Sequence, residues 1–115
     1  GDISLEMEIN NLESNKGPVY IRILDENENP VIVGTSPVIN YSAEISFDSI
    51  STGKYAIQFF HDENENQKMD FNLIGIPKEK FGSSNNVKPV LGPPKFEKML
   101  FNLTENKKII MIPVN

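Results

Sequence analysis

"GKYAIQFF", residues 53–60, decides how this chain is read. Tyr55, Ile57 and Phe59 fall on one side, and Ala56, Gln58 and Phe60 on the other. A period of two with β-branched and aromatic residues predicts a strand. A turn signal, Ser51-Thr52-Gly53, precedes it. "AEISFDSI" (43–50) lies before that turn and alternates through Ile45 and Phe47. The N-terminal residues repeat the pattern, with Ile3, Leu5, Met7 and Ile9 apolar between Ser4, Glu6 and Glu8. "PVYIRIL" (18–24) sets Val19, Ile21 and Ile23 against Tyr20, Arg22 and Leu24.

The remaining segments are shorter. "VIV" (31–33) and "PVI" (37–39), split by Gly34-Thr35-Ser36-Pro37, read equally as edge strands or extended loop. Pattern resumes at Met99, Phe101 and Leu103. It ends in "KKIIMIPV" (107–114), where Ile110, Ile112 and Val114 form the more apolar face. Between them, residues 72–96 hold Gly75, Pro77, Gly82, Pro89, Gly92, Pro93 and Pro94, which leave no room for a helix. The reading is an all-β single domain over 1–115, a β-sandwich of about seven strands with one long irregular loop at about 72–96. A small barrel is the second choice.

Composition narrows the function classes. The net charge of −5 and the pI near 4.8 argue against nucleic acid, whose phosphates need a basic face. The chain has no Cys, which removes disulfide and zinc-thiolate chemistry. No apolar run approaches the ~18–20 residues of a membrane-spanning helix. The start at Gly1-Asp2, without Met, fits a chain whose leader was removed before Gly1.

"HDENENQKMD" (61–70) follows the opening strand and carries the main chemical signal. A calcium loop places oxygens at positions 1, 3, 5, 7 and 9, because the chain winds round the ion and turns alternate side chains inward. Here those positions are Asp62, Asn64, Asn66, Lys68 through its backbone carbonyl, and Asp70. Position 6 is Gln67 where glycine is usual, and position 12 is Leu73 where a bidentate acid is usual. The alternative is an acidic, solvated hairpin turn. The earlier "DENEN" (25–29) starts in the same way with Asp25, Asn27 and Asn29, but runs into Pro30 and reads as a turn. His61, the one histidine, reads as a structural group at a strand end, bonded to backbone or to the long loop. No Ser-His-Asp or metal-His set is recognisable, so an enzyme is the least favoured class, with Asp62 and Asp70 the acids that a hydrolase would use.

From His61 to Phe96 the chain resembles a bacterial family, domain-of-unknown-function family 2141. Its "FHDxNGNGKLD", "LGIPxExxGFSNN" and "GPPxF" stretches correspond to "FHDENENQKMD", "IGIPKEKFGSSNN" (74–86) and "GPPKF" (92–96). "GKYAIQF" is similar to its "GxYAVxxF" strand, and "NLESNKGPVYIRILD" (11–25) to its "GLRSxKGxVxVALFD" opening. Glu65 and Gln67 stand where the family loop has glycines. The resemblance implies a transthyretin-like or immunoglobulin-like sandwich, exported in bacteria (periplasmic, outer-surface or secreted), with no activity attached. The expected role is non-enzymatic interaction or structure at the cell envelope, with a protein or carbohydrate partner and Ca2+ as the possible ion. A carbohydrate- or peptide-binding module is the alternative, with Tyr20, Tyr41 or Phe81 as stacking surfaces.

Overall fold

The computed structural model describes residues 3–63 and 79–115. Among the described residues, eight strands form two sheets. The smaller sheet holds β4 (Ala43–Ile50), β1 (Ile3–Ile9) and β8 (Lys107–Met111) in that order. The larger runs β3 (Pro30–Ser36), β2 (Val19–Asp25) and β5 (Gly53–His61). Beyond β5, its far edge is shared by β6 (Phe81–Ser83), opposite Gln58–Phe60, and β7 (Phe101–Leu103), opposite Gly53–Tyr55. The two sheets pack face to face as a sandwich. Barrel closure does not occur, because β3 and β4 neighbour each other without forming a ladder.

The core follows the alternation. Ile3, Leu5, Met7 and Ile9 from β1 meet Val19, Ile21 and Ile23 from β2 and Ile57 and Phe59 from β5, all buried in one cluster. Burying such side chains contributes about 1.5–3 kcal/mol each, the main favourable term against chain entropy.

Two expectations need correction, and one open choice is decided. "KKIIMIPV" faces the opposite way, since Met111 is fully buried and Ile110 is 54% exposed. Parallel pairing with β1 sets Ile109 beside Met7 and Met111 beside Ile9, and so turns the odd-numbered residues inward. Four consecutive apolar residues, 109–112, carry no alternation from which to choose a face. "VIV" and "PVI" also part company. The first belongs to one strand, Pro30–Ser36, that continues through Gly34, where a Cβ would meet the Phe47 ring at 2.8 Å. The second is a connection with a single bridge, Ile39 to Ser42. Finally, the segment read as one irregular loop contains β6 and a 3-10 turn, Ser84–Asn86, which brings the strands to eight.

Candidate functional site

β5 ends at His61, and the β1–β2 connection grips Asp62 and Glu63, the residues that follow it. Asp62 N–H donates to the Pro18 carbonyl at 2.9 Å, and His61 N–H to the Lys80 carbonyl at 2.8 Å. The His61 ring is fully buried, with Nε2 2.6 Å from the Lys16 carbonyl oxygen. A carbonyl only accepts, so Nε2 carries the proton and donates. Among the described residues, His61 Nδ1 has no hydrogen-bond partner. Gly17 closes the grip at φ +73°, and a Cβ there would lie 2.1 Å from the Asp62 carbonyl oxygen. Ser14 Oγ donates to Glu63 Oε2 at 2.8 Å. His61 thus has the structural position expected of it, tied to backbone.

Of the calcium-loop residues, the structure describes Asp62, which is fully buried directly after β5. Asn64, Asn66, Lys68 and Asp70 lie outside the described residues, as do Gln67 and Leu73. Among the described residues, no three acidic or histidine side chains gather to hold a metal ion. The first DENEN copy is a turn, as expected. Asp25 Oδ1 accepts from the N–H groups of Asn27 and Asn29, both at 2.9 Å, and Glu28 takes φ +66°. That is an Asx-type turn closing the β2–β3 hairpin. Equal five-letter strings therefore end in different environments, one half-buried aspartate and one fully buried.

The Ser-Ser-Asn-Asn stretch is a backbone clamp. Between β6 and β7 the edge of β5 lacks a ladder partner, and there Ile57 N–H donates to Ser84 Oγ at 3.0 Å. The same hydroxyl donates to the Met99 carbonyl at 2.6 Å. Asn85, at φ +64°, donates through Nδ2 to the carbonyls of Lys98 and Leu100. Asn86 Oδ1 accepts from Ile112 N–H just past β8. Buried irregular backbone must find such partners, and these side chains supply them.

The open chemistry lies on the outer face of the larger sheet. Tyr20, Arg22, Val33, Gln58 and Phe60, with Ile21 and Phe59 beneath, line a shallow depression of about 350 Å³. Tyr20 and Phe60 are directly opposite in the β2–β5 ladder, and their rings stack at 5.3 Å and 18°. Two residue pairs along, and so on the same face, Arg22 Nε donates to Gln58 Oε1 at 2.7 Å. Phe81 continues the aromatic row by register with Phe60. Tyr20 and Phe81 thus belong together, whereas Tyr41 sits on the 37–42 connection and does not line the depression. Phe60, Arg22 and Gln58 were not singled out from sequence. The signal was present, since alternation already put all three on outward positions.

The outer face of the smaller sheet is acidic, with Glu6, Glu8, Glu44 and Lys108 around a second shallow depression. Glu8 is held below the usual carboxylate range, first by a hydrogen bond from Asn10 and then by the charge of Lys108.

The arrangement defines a class, a bacterial β-sandwich domain whose polar motifs tie down its own backbone. The chain belongs to the family described as an uncharacterized protein conserved in bacteria (DUF2141), whose model matches residues 7–111. Searches of curated proteins and of solved structures returned no match. Among the described residues, no helix is long and apolar enough to cross a membrane.

Proposed function

We propose that this domain is a non-enzymatic module exported to the bacterial cell envelope, where it binds a carbohydrate or protein through the outer face of its larger sheet. One observation carries the reading: the depression lined by Tyr20, Arg22, Gln58 and Phe60 keeps aromatic and guanidinium groups facing solvent. His61, Ser84, Asn85 and Asn86 hold backbone carbonyls and amides, which supports a structural part for them. Export rests on the family resemblance, and fractionation of cells that express the full natural gene product tests it.

The binding claim is tested by cosedimentation of the purified domain with isolated envelope fractions. The double variant Y20A/R22A is expected to lose sedimentation while still melting cooperatively, with stability lowered by no more than the loss of the Tyr20–Phe60 stack. Equal sedimentation of both proteins would count against the outer face as the contact surface.

Calcium belongs to the same reading as a stiffener of the loop at 62–70, with Asp62, Asn64, Asn66, the Lys68 carbonyl and Asp70 as ligands. Support comes from the alternating oxygen donors and from the buried start of the loop at Asp62. An ion that binds only the folded state raises its stability by RT ln(1 + [L]/Kd). Melting in millimolar calcium is therefore expected to exceed melting in chelator. Coincident curves would remove the ion.

A further inference from the structure

Resting on the binding reading above, we infer that the depression recognises acidic sugar units, with Arg22 holding a uronate carboxylate beside the Tyr20–Phe60 stack. Arg22 is the chain's single arginine. It makes no ion pair among the described residues, although the chain carries 16 acidic residues. Its Nε is used by Gln58, and this bond orients the guanidinium while leaving the four N–H donors on its two η nitrogens without acceptors among the described residues. The solvent-facing positions on β2, β3 and β5 around it are Tyr20, Val33, Thr35, Gln58 and Phe60, while Leu24 and Ala56 further along are buried. None is acidic. On a chain of net charge −5, this face is locally positive and suited to an anion.

Sheet topology selects the class of anion. An extended peptide joins a sheet through free backbone groups at an edge. The depression is centred on β2 and β5, and β2 is flanked on both sides by β3 and β5, so its backbone is already paired. A ligand here must be read by side chains alone. Sugars suit that mode, with C–H faces against Tyr20 and Phe60, a hydroxyl on the Tyr20 hydroxyl, and a carboxylate on the planar guanidinium fork.

The test is titration of isotope-labelled domain with three probes at low salt: oligogalacturonate, the same oligosaccharide with its carboxyls reduced to alcohols, and polyglutamate. Oligogalacturonate is expected to shift amides at 20–22, 33–35 and 58–60. Carboxyl reduction, or R22Q, should weaken binding by about ten- to a hundredfold, the effect of losing hydrogen bonds to a charged group. R22Q alters an exposed side chain, and an unchanged amide spectrum elsewhere confirms its fold. Equal binding of the reduced sugar would overturn the carboxylate inference and leave the binding surface standing. Shifts with polyglutamate but not with sugar would overturn the sugar class. Silence with all three probes, together with no loss of envelope cosedimentation in Y20A/R22A, would remove the surface as well.

Discussion

Replacing Ser84 by alanine deletes one oxygen and leaves two backbone groups without partners. Ile57 N–H loses the acceptor at 3.0 Å, and the Met99 carbonyl loses the donor at 2.6 Å. Ser84 is 1% exposed and Ile57 fully buried, so bulk water has no ready route to either group. A buried group stripped of its partner costs about 1–3 kcal/mol, and partial relaxation around the smaller side chain puts the pair at about 2–4 kcal/mol. At this chain length, 1 kcal/mol corresponds to about 4 °C, so the melting temperature should fall by about 8–16 °C. The assay is thermal and urea unfolding of wild type, S84A and S83A. Ser83 is the control, because among the described residues its hydroxyl donates to the adjacent Ser84 carbonyl and bridges no two strands. S83A should lose less than half as much. If S84A melts within 2 °C of wild type, the clamp does not hold the β5 edge and the reasoning fails.

Other outcomes follow from the same geometry. Gly17→Ala combines a left-handed backbone with a Cβ 2.1 Å from a backbone oxygen, so a loss of about 3 kcal/mol or more is expected in urea unfolding. Gly92→Ala, with nothing within 4 Å of its Cβ, should cost only the backbone strain of its φ of +141°. His61→Phe keeps a buried ring but strands the Lys16 carbonyl, and should lower stability by about 1–3 kcal/mol in the same assay. Glu8, whose folded pKa lies below its unfolded value, contributes stability that is present above the unfolded value and lost as pH falls through the folded one. A carboxyl NMR titration should show its midpoint below the usual carboxylate range and rising in N10A, more than in K108M.

Strand positions were readable wherever one face of a strand is buried and the other wet, as in β1, β2 and β5. Alternation there is a direct record of the sheet's two sides. It failed in β8, where four apolar residues in a row left the choice of face to the partner strand, and parallel pairing with β1 made that choice. β6 was hidden for a different reason. Phe-Gly-Ser is too short to show a period, and Gly82 is required because a Cβ there would strike the Phe59 ring at 2.6 Å. Burial of Asp62 was not legible either. Asp25 heads the same five letters, and the difference arises from Gly17 and Pro18, 44 or more residues upstream, which close over one copy and not the other. The outer-face depression lay between these cases. Each strand supplied its outward residues by alternation, but their meeting depends on the register that sets Tyr20 opposite Phe60 and Arg22 opposite Gln58.

The central claim is that this sandwich keeps its binding chemistry on the open face of the larger sheet, and uses the motif residues at its loop end to hold itself together. Amide-shift mapping with solubilised envelope polysaccharide addresses that most directly. The account predicts perturbation along residues 20–22, 33–35 and 58–60. Perturbation centred on residues 12–17, 61–63 and 83–86 would contradict it.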